Sequence, residues 1–144
     1  MKPRVVAIVQ ARCGSSRLPG KSLKPLAGRP MILHVLNRAA SAYGIDEVVL
    51  ATSVAEQDAA LAAEATRAGY RVVRGSEHDV LGRFADAAAV TRADVVVRIT
   101  GDCPLLAPDV TDRVVRAFLD GSDSFVSNDV RVSGYPDGTD TEVF

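Results

Sequence analysis

The stretch Gln10-Ala-Arg-Cys-Gly-Ser-Ser-Arg-Leu-Pro-Gly-Lys21 puts three cations, two glycines and two serines into twelve residues. Gly14 and Gly20 let backbone N–H groups approach a ligand closely. Ser15 and Ser16 add donors. Arg12, Arg17 and Lys21 repel one another unless they meet an anion, and a polyphosphate supplies one. The stretch nearly imitates a P-loop, but five residues separate Gly14 from Gly20 where that motif has four. Pro25, Gly28 and Pro30 also follow where a P-loop would run straight into a helix. The dinucleotide fingerprint is absent, so this is a phosphate loop of a third kind. A solvated basic loop is the plain alternative.

Three further stretches carry candidate chemistry. In Val97-Arg-Ile-Thr-Gly-Asp-Cys-Pro-Leu105, Asp102 follows a run of Val and Ile. Taken alone it reads as a turn or cap aspartate. Facing a phosphate loop, it is placed to hold Mg²⁺, a hard cation that prefers carboxylate and phosphate oxygens. In Arg74-Gly-Ser-Glu-His-Asp-Val-Leu81, Gly75 and Ser76 can hydrogen-bond a base or ribose and Arg74 can reach an oxygen; a plain turn with a helix cap is an equal reading. In Tyr135-Pro-Asp-Gly-Thr-Asp-Thr-Glu-Val-Phe144, Pro-Asp-Gly is a turn signal, which is the simpler reading of Asp137. Asp140 and Glu142 alternate along an expected strand, so they share a face that can meet a metal or a sugar. His34 and His78 read as surface residues. No Ser/His/Asp or Cys/His set suggests covalent catalysis.

The elements that must position these loops alternate in type. Strands are expected at 5–9, 47–52, 70–74, 94–100, 124–127 and 141–144. Helices are expected from Pro30 to about Tyr43, after a Ser53–Glu56 capping box to about Ala68, after a Ser76–Asp79 cap to about Arg92, and at 108–119. Near-continuous apolar strands alternating with helices predict a mostly parallel sheet covered on both faces, a Rossmann-like α/β/α sandwich. In such sheets ligands bind beyond the carboxyl ends of the strands, where these loops fall.

Composition sets the outer limits. The 144 residues suit one domain. Hydrophobic residues at 47% and charged residues at 24% exclude a disordered or low-complexity chain. A formal net charge of -1 argues against coating nucleic acid or an anionic membrane. The apolar run 5–9 is too short to span a membrane or act as a signal core. Cys13 and Cys103 have no metal spacing and read as free thiols, which places the protein in the cytoplasm.

Together the four stretches, in this order, resemble the cytidylyltransferases of the spore-coat polysaccharide biosynthesis protein F type, which are similar to the synthetases that activate 3-deoxy-manno-octulosonate and acylneuraminate as CMP-sugar acids. The resemblance implies a nucleotide-diphosphosugar-transferase fold and Mg²⁺-dependent transfer of CMP from CTP to a sugar acid, with release of pyrophosphate, in surface polysaccharide synthesis. It implies nucleotide contact over Gln10, Ala11, Arg12, Gly14, Ser15, Arg17, Lys21, Arg74, Gly75, Ser76 and Asp102. Arg12, Lys21 and Asp102 would be the catalytic residues and Asp102 the metal ligand. Asp137, Asp140 and Glu142 are expected on the substrate side. Family chains continue past Glu142-Val-Phe144 with further strands, an acceptor-binding segment and commonly a dimerisation element. Residues 1–144 are therefore expected to be a single nucleotidyltransferase-like domain, the N-terminal nucleotide-binding part of a longer pattern, and a homodimer is the assembly the resemblance suggests. The rival readings are a nucleotide-binding module without catalysis, and a nucleotidyltransferase using another NTP or a sugar 1-phosphate.

Overall fold

The computed structural model describes residues 1–14 and 17–144. Its centre is β1 (Val5–Gln10), whose first five residues are wholly buried. On one side β1 pairs in parallel with β4 (Glu47–Ser53), which pairs with β5 (Arg71–Gly75). On the other side it pairs in parallel with β6 (Val95–Thr100), placing Gln10 beside Thr100. Two short strands, β7 (Val126–Ser127) and β8 (Glu142–Val143), complete the order β5-β4-β1-β6-β8-β7. β8 runs antiparallel to both neighbours, so the sheet is mostly parallel, as expected for strands buried on both faces.

Alternate residues of each strand feed two cores. Val5, Ala7 and Val9 pack with apolar side chains of α1 (Met31–Ala40), α2 (Ala59–Arg67) and α4 (Pro108–Asp120). Val6 and Ile8 pack with Phe84 and Ala87 of α3 (Val80–Thr91) on the opposite face. The three layers place the loops after β1 and β6 side by side.

Several boundaries differ from the expected ones. Ser53 does not cap a helix. It ends β4, its hydroxyl donates to the buried Asp58 carboxylate and accepts from Ala55 N–H, and α2 starts only after a 3-10 turn at Glu56–Asp58. Asp79, not Ser76, caps α3 by accepting from Gly82 N–H at 2.8 Å. The expected end strands shrink to two residues each, and α1 ends at Ala40 rather than near Tyr43. An unexpected hairpin pairs β2 (Pro25–Leu26) with β3 (Arg29–Pro30), turning through Ala27 and Gly28 at φ 48° and 80°. Positive φ at both central residues is the twist-compatible hairpin turn. A further short helix, α5 (Val130–Ser133), precedes the final loop.

Candidate functional site

The carboxyl ends of β1 and β6 are locked together by the backbone: Gly101 N–H donates to the Gln10 carbonyl at 2.7 Å. Gly101 permits this approach, because a Cβ there would sit 2.5 Å from Ala11 Cβ and 2.7 Å from Gln10 O. The two loops that carry the candidate cations and Asp102 therefore start from a common point.

Lys21 opens a 3-10 turn at Lys21–Leu23, preceded by Gly20 at φ 66°. Its Nζ donates to Asp102 Oδ2 at 2.9 Å. That hydrogen bond is the main reason the Asp102 carboxyl lies below the usual carboxylate range; partial burial opposes it. A depressed carboxylate contributes stability at neutral pH that is lost as pH falls through its folded value. Asp102 is thus ionised at neutral pH.

A cavity of about 400 Å³ opens over this pair. Gln10, Ala11, Arg12, Gly14, Arg17, Lys21 and Asp102, all singled out in the sequence, line it, and Arg98 joins them. Ser15, expected to contact nucleotide, lies outside the described residues. Among the described residues that line it, four cations stand against one carboxylate, which makes the cavity a place for a multiply charged anion. A larger cleft of about 550 Å³ lies at the amino ends of β4 and β5, lined by Asp46, Glu47, Tyr70 and Arg71. It is at the wrong end of the parallel strands for the loops described here.

The donor set around Asp102 suits a hard cation that arrives with phosphate. Among the described residues no three His, Cys, Asp or Glu side chains cluster as a complete metal cage. Mg²⁺ needs none, since one or two carboxylates plus phosphate oxygens and water commonly hold it.

The structure does not bring every candidate to this cavity. Arg74 is occupied elsewhere: its guanidinium donates to the carbonyls of Ser53 at 2.9 Å and Ala55 at 3.0 Å. Gly75 packs on the Arg83 stem, and Ser76 Oγ accepts from the N–H groups of His78 and Asp79. Asp140 and Glu142 border a separate small cleft with Ser127, Asn128 and Asp129. Glu142 accepts from Arg98 Nη1 at 2.7 Å. The charges of Asp140 and Asp137 are felt at Cys103. Both thiols are free and pushed up, chiefly by burial, which makes them poor nucleophiles at neutral pH.

Four side chains near the site escaped the reading of the sequence. Arg98 is held between Glu142 and the Phe84 ring, 5.9 Å from its centroid; a lone arginine in an otherwise Val/Ile strand was its signal. Glu77 faces Arg12 at 3.9 Å and accepts from Gln57 Nε2 at 3.1 Å. Arg83, only 1% exposed, donates through Nη1 to the carbonyls of Ser76 and Glu77, while its Nε and Nη2 have no partner among the described residues. Asp58 is fully buried and accepts from Cys13 N–H at 2.6 Å. No sequence pattern pointed to Glu77, Arg83 or Asp58.

The chain is similar to known proteins in both sequence and fold. A protein-family model described as "Cytidylyltransferase" matches residues 6–137. The spore coat polysaccharide biosynthesis protein SpsF of Bacillus subtilis (strain 168) is 40% identical over 124 residues, covering 83% of this chain and 52% of that protein. A solved cytidylyltransferase from Leptospira borgpetersenii superposes with a TM-score of 0.92 at 33% identity, over 99% of this chain and 60% of that one. A CMP:2-keto-3-deoxy-manno-octonic acid synthetase solved in complex with CTP superposes with a TM-score of 0.74 at 30% identity, over 81% of this chain and 48% of that one. The chain spans about half the length of the curated relatives it matches. No helix among the described residues is long and apolar enough to cross a membrane. With the family pattern running from β1 through the loop after α5, and with one relative's fold reproduced over nearly every residue, this chain belongs to the cytidylyltransferase family.

Proposed function

We propose that the cavity over Lys21 and Asp102 binds CTP with Mg²⁺, and that the protein transfers CMP to the hydroxyl of a sugar acid for surface polysaccharide synthesis. The observation that carries this reading is the Lys21–Asp102 pair at 2.9 Å, set among Arg12, Arg17 and Arg98 where β1 and β6 end. The family and its CTP-bound relative support the choice of nucleotide.

In the reaction a sugar oxygen attacks the α-phosphorus in line. A new O–P bond forms, the bond to the bridging oxygen of pyrophosphate breaks, and the hydroxyl proton leaves to solvent or a base. No protein nucleophile is required. Asp102 would hold Mg²⁺, which supplies charge neutralisation on the phosphate oxygens. Lys21, Arg12 and Arg17 bind the triphosphate and stabilise charge gathering on the leaving group. The scaffold's contribution is positioning, which can be worth roughly 7–11 kcal/mol of a barrier.

Thermal unfolding with each of the four NTPs and Mg²⁺ tests the nucleotide assignment. CTP at ~100 times its dissociation constant is expected to stabilise the fold by about 2.7 kcal/mol, and ATP, GTP and UTP by less at the same concentration. Equal shifts for all four, or no shift with any, would remove the cytidylyl assignment.

A further inference from the structure

Asp58 is a carboxylate with no solvent exposure and, among the described residues, no cationic partner at ion-pair distance. Burying such a group is costly unless strong donors satisfy it. Its donors are specific. Oδ1 accepts from Cys13 N–H at 2.6 Å, across 45 residues of sequence, and Oδ2 accepts from the Ser53 hydroxyl. Ser53 Oγ in turn accepts from Ala55 N–H at 3.1 Å, so the donors form a chain polarised toward the carboxylate.

The other side of the Cys13 residue is fixed too. Its carbonyl accepts from Gly20 N–H at 3.0 Å, which closes the neck of the cationic stretch. Cys13 is therefore pinned by both backbone groups: inward to Asp58 through N–H, and across the neck to Gly20 through C=O. Lys21, which meets Asp102, is the residue directly after that neck. Pinning Cys13 N–H toward the interior sets the direction in which the chain leaves β1. Ser53 is the last residue of β4, so the neck is anchored to a second strand of the sheet.

We propose that Asp58 is a positioning residue that fixes the neck of the phosphate loop before the anion arrives. This rests on the reading that the cavity binds a nucleotide triphosphate. Asp58 never touches the nucleotide; its contribution is that the neck at Cys13 and Gly20 need not be ordered at the moment of binding.

The test uses inorganic tripolyphosphate as probe, titrated into the 144-residue chain and its variants. Titrations are made well below each variant's unfolding temperature, so that lost stability alone leaves the affinity unchanged. Asp58→Leu removes the acceptor and is expected to weaken tripolyphosphate at least about tenfold. Ordering left to the moment of binding is subtracted from affinity, and a tenfold loss corresponds to about 1.4 kcal/mol. Asp58→Asn keeps an acceptor for Cys13 N–H and a donor toward Ser53, and is expected to stay within about threefold of the parent. Amide exchange at Cys13 should be slow in the parent and in Asp58→Asn. In Asp58→Leu it should be fast, while the β1 amides stay protected. If Asp58→Leu does not fold, Ser53→Ala takes its place, with a smaller loss of affinity in the same direction. Unchanged affinity in Asp58→Leu or Ser53→Ala, or equal losses in Asp58→Leu and Asp58→Asn, overturns the proposal. Failure of the parent to bind tripolyphosphate or CTP at all would instead remove the nucleotide reading beneath it.

Discussion

Lys21→Ala is expected to lower the rate of pyrophosphate release at limiting CTP by roughly 10²–10³-fold, the scale of removing one preorganised charge-stabilising donor. Lys21 is the loop cation that reaches the second loop, through Asp102 at 2.9 Å. It is half-buried at the cavity wall, so its charge is less screened than that of the more exposed Arg12 and Arg17. Its removal also leaves Asp102 without its cation, and the Asp102 carboxyl should then titrate higher, toward the ordinary range. The variant should fold, since neither member of the pair is buried. Steady-state kinetics across CTP concentrations checks this. A parental rate at limiting CTP would place the triphosphate elsewhere.

Asp102→Asn makes a sharper expectation, because its two effects have opposite signs. In the free protein Asp102 occupies Lys21. Neutralising Asp102 frees that ammonium and removes the one carboxylate that lines the cavity among the described residues, so CTP without metal should bind the variant a few-fold more tightly. With Mg²⁺ present the order should reverse, and catalysis should fall by roughly 10²-fold or more, because the carboxylate proposed to hold the metal is gone. Calorimetric titration of CTP with and without Mg²⁺ separates the two effects. If Asp102→Asn lowers the melting temperature while the folded variant keeps parental nucleotide affinity and metal dependence, Asp102 is structural.

How much of this was legible in the residues follows from physics local to each segment. β1 and β4 are buried on both faces, and burial on both faces writes a near-continuous apolar run; β6 alternates buried and half-buried residues, yet is mostly Val and Ile. β7 and β8 are two residues long and held by pairing to a neighbour, so only their approximate place could be read. The Ser53–Glu56 pattern had the composition of a helix cap, yet the hydroxyl is used by Asp58, whose partners come from tertiary structure. Asp58 itself sits in an Ala/Glu/Gln-rich stretch and looks like an ordinary helix-surface acid. Arg74 and Arg98 both interrupt apolar strands. One turns to backbone carbonyls and the other into the cavity, and nothing in either neighbourhood separates the two fates. The cationic loop and Asp102 were legible because their chemistry is local, and they meet because β1 and β6 are adjacent.

The most direct test of the account is the fate of the α–β bond of CTP. CTP labelled at the α-phosphorus is incubated with the protein, Mg²⁺ and a panel of sugar acids that includes 3-deoxy-manno-octulosonate. Pyrophosphate and a labelled CMP-sugar acid are expected in equal amounts, dependent on Mg²⁺ and lowered by roughly 10²-fold or more in Asp102→Asn. Release of inorganic phosphate with CDP, or saturable CTP binding with the α–β bond intact for every acceptor, would contradict the account.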